Sequence, residues 1–341
     1  MPSTVAFTIA LGGEANAAAG LTRKTFQANH PEVPFFIISS QFYAFFALQP
    51  GAGHGGEITA LRAMIGYFLS SHFERVIYLD ADVLVLAPLP QLVESTAAVT
   101  LTNDVSTCDY GGMPAPRVNA GVLAAASPAF WRLWMLCIYS YFLPISGAFF
   151  DQFILRMMLA KGDTPFTVLR EREERDFYNI TYHEYPGEWN LDGEILRKGD
   201  ARVRLWHWAG YARKTAFDSL PKAVRAMTAR QLKRPEAGTR DQEDHLLRLL
   251  ILEHGERFLD AIAKEIGGLN SYCLEGVTVL NRPAMPDVYG TDAPAAWDQL
   301  RPLPPGFHRR FLPQAPRFVY ARDEARLAAP DIDALDVRGI S

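Results

Sequence analysis

Asp80 and Asp82 stand two residues apart inside the run Arg75-Val76-Ile77-Tyr78-Leu79-Asp80-Ala81-Asp82-Val83-Leu84-Val85-Leu86. That run is apolar and rich in β-branched residues, so it reads as a buried strand interrupted by two carboxylates. Side chains alternate along a strand, which brings residues i and i+2 out on one face. Two like charges held that close beside an apolar wall repel one another and lose hydration. A hard divalent cation with oxygen ligands relieves both penalties and keeps coordination positions open for a diphosphate. The pattern points to a nucleotide-sugar site. An isolated Asp-x-Asp recurs by chance and more often caps a strand end or bonds loop amides. Here the long apolar flanks, and partners further along the chain, favour the metal reading.

The elements that must position these carboxylates follow from the apolar pattern. Residues 5–11 read as a first strand, 16–29 as a helix that stops near Pro31, and 34–39 as a second buried strand. A glycine-rich loop at 51–56 precedes a helix over 57–70, which leads into the Asp80 strand. The loop lacks the Gly-Lys-Ser/Thr ending of a phosphate cradle and reads as a lid or linker. Strand, helix, strand, helix, strand over about eighty residues is the pattern of parallel βαβ units. Residues 97–102 form a further strand that ends in Asn103-Asp104, and 117–125 another that contains Asn119-Ala120-Gly121. Two helices flank 144–147, the second starting near Asp151-Gln152, and 202–208 make a strand with His207 near its end. From about Pro221 the texture changes. Residues 222–268 read as charged helix with an apolar stripe through Leu246, Leu249, Leu250, Phe258 and Ile262, and 285–316, dense in proline, as irregular surface structure.

The 341 residues allow one large or two ordinary domains, and 49% hydrophobic with 21% charged residues supply ample material for a core. A net charge of −4 gives no global pull toward nucleic acid. The most apolar stretch, 130–150, contains Arg132 and Pro144 and reads as a buried aromatic helix rather than a membrane span. Residues 1–11 have no basic leader region and run straight into a strand pattern, so no signal peptide is expected. Cys108, Cys137 and Cys273 are widely spaced with no metal-type pairing, which fits a reducing cytoplasm. Residues 297–326 interleave aromatics with six arginines against three acids. Such a segment suits either peripheral contact with anionic lipid or packing against the acidic remainder of the chain.

Taken together, these residues resemble the family 8 retaining glycosyltransferases, a group that includes bacterial lipopolysaccharide galactosyltransferases and glycogenin. The resemblance covers roughly residues 1–217. Tyr78-Leu79-Asp80-Ala81-Asp82 is similar to the family's metal-binding core, and Arg62 sits where the family has a basic donor-binding residue. Asn119-Ala120-Gly121 resembles the strand that borders the donor sugar, Asp151-Gln152 the pair beside the reacting sugar, and Trp189-Asn190 the aromatic-Asn pair that follows. His207-Trp208-Ala209-Gly210 is similar to the family's His-x-x-Gly block. The family's lysine three residues later is replaced by Arg213, with Lys214 next to it and Thr215-Ala216-Phe217 in place of the rest. An arginine fork and a lysine point charge are not equivalent partners for a diphosphate.

The resemblance implies a GT-A fold: a Rossmann-like α/β/α sandwich with a mostly parallel central sheet over residues 1–220. A helical segment over 221–268 and a proline-rich, irregular region over 269–341, packed on the catalytic domain, would follow. It implies a metal site of Asp80, Asp82 and His207, for Mn2+ or Mg2+, with manganese favoured by the imidazole. Donor contacts would come from Ala10, Arg62, Asp80, Asn119, Gly121, Gly210 and Arg213 or Lys214, and acceptor-side contacts from Asp104, Trp189 and Asn190. Asp151 and Gln152 would flank the reacting centre, with Gln152 stabilising an oxocarbenium-like species. The implied reaction moves a hexose or N-acetylhexosamine from a UDP-sugar to a glycan or other hydroxyl acceptor with retention of configuration. The sequence leaves open a homo-oligomer and two other functions. One is a silent sugar-nucleotide-binding protein, suggested by the altered stretch at 213–217. The other is a sugar nucleotidyltransferase, which would need a lysine-bearing glycine loop near the first strand, whereas no Arg or Lys precedes Arg23.

Overall fold

The computed structural model describes residues 3–11, 13–39, 42, 46, 56–103, 118–140, 152, 154, 155, 158, 166–169, 176–177, 187–207, 220–235, 238–259, 261–262, 271–274, 277–280, 308–312 and 317–321. Its centre is a six-stranded sheet of β1 (Thr4–Ile9), β2 (Phe35–Ile38), β3 (Arg75–Leu79), β5 (Val99–Asn103), β6 (Val118–Ala125) and β7 (Phe166–Leu169), in the order β2-β1-β3-β6-β5-β7. β1 runs parallel to β2 and β3, and β5 parallel to β7. β6 is antiparallel to both of its neighbours, so the sheet is mixed. The fold is α/β, as the alternation of apolar strands and helices predicts.

Strands β1 and β3 are mostly apolar, and even Thr8 and Arg75 are buried, because both faces of the sheet are covered. Val76 and Tyr78 face a cluster that includes α2 (Gly56–Ser70) and α4 (Pro128–Ser140), while Ile77 and Leu79 face a cluster that includes α1 (Gly13–Gln27) and the short α3 (Pro90–Val93). Gly66 of α2 admits the fully buried Trp131 ring: a Cβ there would lie 2.2 Å from Trp131 Cε3.

Several elements differ from the sequence expectation. The run 75–86 is two strands. β3 ends at Leu79, the chain turns at Ala81-Asp82, and β4 (Val83–Val85) leaves the central sheet to pair with β12 (Leu205–His207). The expected strand at 202–208 likewise divides. β11 (Ala201–Val203) joins a four-stranded sheet with β8 (Asp176–Phe177), β10 (Ile195–Lys198) and β9 (Trp189–Asp192), and β12 crosses to β4. Arg204, at the division, accepts hydrogen bonds on its carbonyl from the Leu86 and Ala87 amides, which ties the switch to the end of β4. Two two-residue hairpin loops, Gly193-Glu194 and Gly199-Asp200, link β9, β10 and β11, with Gly193 and Gly199 at positive φ.

The helical segment is interrupted. α5 (Lys222–Gln231) ends before Pro235, and α6 (Arg240–Leu250) begins at Thr239 with a reciprocal capping box to Gln242, then continues into a π-helical turn, Ile251–Gly255. The expected apolar stripe is out of phase at one position. Leu247 is fully buried and Leu249 is 49% exposed, because the residue three before Leu250 shares its face and the adjacent one does not. α6 is stitched to the sheet layer by a buried network: Glu243 accepts hydrogen bonds from Arg23 Nε, Gln27 Nε2 and the Phe35 amide. The C-terminal region is not irregular throughout. Ser271–Leu274 (β13), Val277–Leu280 (β14), His308–Leu312 (β15) and Arg317–Ala321 (β16) form an antiparallel sheet in the order β13-β14-β16-β15. The β-branched and aromatic residues of these short runs favour strand over the irregular path suggested by prolines.

Candidate metal centre

The two carboxylates reach one place by a turn rather than by strand alternation. Asp80 leaves the carboxyl end of β3 with its amide bonded to Gly121 O at 2.7 Å, and Asp82 sits in the turn beyond. Thr22 of α1 fastens that turn by donating to Ala81 O at 2.8 Å. β12 then runs antiparallel to β4 with His207 opposite Val83, one residue from Asp82, which closes a gap of 125 residues in sequence.

His207 Nε2 lies 3.1 Å from Asp82 Oδ1 and 3.5 Å from Asp80 Oδ2. Ligand atoms of the three residues all fall within 4.8 Å of one another, and this is the one such cluster of acids, histidines and cysteines among the described residues. His207 is 3% exposed. Burial opposes a charge on its ring, but the charge and hydrogen bond of Asp82, together with Asp80, outweigh burial and raise its pKa; Arg62 acts against them. The group draws positive charge to itself, and a divalent cation would supply it. Separations of 3.1 and 3.5 Å suit adjacent ligands around an ion that binds oxygen at about 2.1 Å.

Gly121 makes the space. A Cβ there would lie 2.3 Å from Asp80 Oδ2 and 2.5 Å from His207 Cε1. The pairing of β5 and β6 shifts register between Leu101 and Thr102, whose partners are Leu123 and Asn119, so β6 bulges at Ala120–Val122. Asn119 Oδ1 accepts the Gly121 amide at 2.7 Å across the bulge, and Gln152 Oε1 accepts the Ala120 amide at 3.1 Å. Arg62 Nη1 donates to Ala120 O at 3.2 Å and lies 3.6 Å from Asp80 Oδ1. The structure therefore brings together Arg62, Asp80, Asp82, Asn119, Gly121, Gln152 and His207.

Other expected residues stand apart or lie outside the described residues. Ala10 is buried at the end of β1, where its amide donates to Ile38 O. Trp189 and Asn190 belong to β9; the Trp189 ring lies 4.7 Å from that of Trp206, next to His207 in sequence, and Asn190 is exposed. Asp104, Asp151, Gly210, Arg213 and Lys214 lie outside the described residues. Two participants have no role assigned from sequence, although Tyr78 belongs to the Tyr78–Asp82 stretch. Thr22 holds the Asp turn, and Tyr78 donates its phenol to Asp80 Oδ1 at 2.5 Å. The i, i+2 spacing of Tyr78 and Asp80 was the available signal for the second.

The chain is similar in backbone to a glycosyltransferase involved in the glycosylation of the major capsid of PBCV-1, with 12% sequence identity over 67% of this chain and 98% of that one and a TM-score of 0.43. An active-site mutant of LgtC gives 18% identity over 67% and 96% of the two chains and a TM-score of 0.46. Mouse xyloside xylosyltransferase 1 in its apo form gives 12% over 61% and 98%, with a TM-score of 0.35. No family model matches the chain, and no curated protein matches it.

Proposed function

We propose that the chain is a family 8-like GT-A glycosyltransferase that transfers a hexose or N-acetylhexosamine from a UDP-sugar to a glycan or other hydroxyl acceptor, with retention. The observation that carries this reading is the meeting of Asp80, Asp82 and His207 at the carboxyl end of β3, where open α/β sheets bind their ligands, beside a glycine whose missing side chain lets Asp80 and His207 close in. When bound, Mn2+ or Mg2+ supplies Lewis-acid stabilisation of the departing diphosphate.

Asp80, Asp82 and His207 hold the cation. Arg62 and Asn119 line the donor side, and Asn119 fixes the bulge that presents Gly121. Gln152 Oε1 has a second lone pair beyond the one used by Ala120, and that pair is suited to a developing positive charge at the anomeric carbon. In the same reading Asp151 orients sugar hydroxyls, Arg213 or Lys214 meets the diphosphate, and Ala10 and Gly210 contact the nucleotide. Asp104, Trp189 and Asn190 serve the acceptor.

The test is incubation of the full chain with a panel of UDP- and GDP-sugars, with and without Mn2+, reading sugar release, transfer and thermal shift. Metal-dependent turnover of a UDP-sugar is expected, with an α-linked product identified by its anomeric proton coupling. A β-linked product from an α-linked donor would show an inverting enzyme. No binding and no turnover with any nucleotide sugar would overturn the reading.

A further inference from the structure

We propose that Tyr78 is a positioning residue of the metal centre: with Arg62 it holds Oδ1 of Asp80, so that Oδ2 is the oxygen turned toward the cation. The inference rests on the reading of Asp80, Asp82 and His207 as metal ligands. Tyr78 and Asp80 are two residues apart at the end of β3, and the phenol donates to Oδ1 at 2.5 Å. A hydrogen bond to an ionised acceptor at that length belongs to the strong, charge-assisted kind. Arg62 Nη1 approaches the same oxygen at 3.6 Å, and its guanidinium lies 4.9 Å above the Tyr78 ring. The other oxygen, Oδ2, lies 3.5 Å from His207 Nε2 and packs against Gly121, where a Cβ would come within 2.3 Å of it. The two oxygens of one carboxylate therefore have separate roles.

The clamp is rigid. Tyr78 is 1% exposed, within the core cluster beneath α2 and α4, and its ring packs at 5.0 Å against Phe7 of the neighbouring strand. Arg62 is anchored in turn on Ala120 O. A carboxylate fixed by one oxygen cannot rotate its other oxygen away from the ion, and partners of this sort set the affinity of a metal site beyond its direct ligands. With the phenol removed, Oδ1 keeps, among the described residues, the longer approach of Arg62, and Asp80 gains freedom to turn.

Tyr78→Phe in the full chain isolates the hydroxyl while keeping the ring on Phe7. Mn2+ affinity by calorimetry, and the visible absorption of bound Co2+, are compared with wild type and with Asp80→Ala. The expected result is binding by wild type, none by Asp80→Ala, and a loss of about 10–100-fold in affinity for Tyr78→Phe with an altered Co2+ band. Equal affinity and an identical band in Tyr78→Phe would overturn this inference while leaving the ligand assignment standing. Absence of Mn2+ and Co2+ binding in wild type would overturn both. Should the variant fail to fold, 3-fluorotyrosine placed at position 78 gives a second measurement. Its fluorine resonance shifts on Mg2+ titration if the phenol senses the occupied site, and an unmoved resonance overturns the inference.

Discussion

At the residue scale, the two oxygens of Asp80 have different neighbours, Tyr78 and Arg62 at Oδ1 and His207 at Oδ2, and His207 also meets Asp82 Oδ1. Alanine at Asp80, Asp82 or His207 removes one of the three ligands proposed above, and we expect turnover to fall by at least about 100-fold, equivalent to about 2.7 kcal/mol of transition-state stabilisation. The Asp80 and Asp82 variants also relieve carboxylate repulsion, so their circular dichroism should stay native. Full activity of either in manganese-free buffer would contradict the metal assignment. Gly121→Ala is the complementary change, because it adds an atom rather than removing one. Its methyl would lie 2.3 Å from Asp80 Oδ2 and 2.5 Å from His207 Cε1, so both side chains would have to move. Mn2+ binding should be lost while the chain still folds, as calorimetry beside a melting curve would show.

At the element scale, two contacts decide how the layers assemble. Gly66 lies in the middle of α2, where alanine would ordinarily favour the helix by about 1 kcal/mol. The added carbon would overlap the buried Trp131 ring at 2.2 Å, and overpacking of that kind costs about 1–3 kcal/mol. The clash wins, so Gly66→Ala should lower the Tm in a thermal melt; a raised Tm would mean that α4 yields freely. The second contact is Glu243, whose side chain is buried against Arg23, Gln27 and the Phe35 amide. Burial raises its pKa, against the opposing pull of the Phe35 amide and Arg23. Glu243→Ala would leave Arg23 buried without its carboxylate, a loss of about 3–5 kcal/mol by urea titration. A loss that large would mark α6 as part of the sheet layer. A change near zero would mark it as an appendage.

At the scale of the whole molecule, His30 contributes to acid sensitivity, against an opposite contribution from His207, whose raised pKa favours the folded chain as pH falls. His30 Nε2 accepts the Leu89 amide at 2.8 Å, so the buried ring is neutral and its proton sits on Nδ1, 3.7 Å from Glu32. Burial lowers its pKa, although Glu32 and Glu94 pull it upward. His72, lowered by burial and by His254, adds a contribution of the same sign. A base with a lowered folded pKa takes up its proton first in the unfolded chain. Stability is therefore retained above the ordinary value of about 6.5 and is lost as pH falls from there through the folded value, by up to about 1.4 kcal/mol per pH unit per site. His30→Gln can still accept the Leu89 amide and should flatten that slope in urea titrations between pH 7 and pH 5. Among the described residues no helix is long and apolar enough to cross a membrane. The arginine-aromatic segment 297–326 is tested by co-sedimentation with anionic liposomes at low and high salt, and salt-sensitive binding would support a peripheral contact.

Sequence by itself was sufficient wherever a local rule operates. The apolar runs at β1, β2 and β3, buried on both faces, follow from composition over a few residues. The hairpin glycines at 193 and 199 were equally local, with Gly193 following Asp192 in the usual turn pattern, and were legible though not read. What tertiary structure decided is pairing. The run 75–86 looks like one strand because every residue flanking the carboxylates is apolar, yet Val83–Val85 is buried against β12 rather than in the central sheet. Hydrophobicity records that a residue is covered and carries no information about which surface covers it. The same limit hid the bulge at Ala120–Val122 and the division at Arg204, each fixed by pairing with another segment, whereas the phase of α6 follows from helical spacing. His207 could be singled out only through its motif. Its approach to Asp82 is decided by the register of β12 on β4, where a slip of one residue would turn the imidazole to the opposite face.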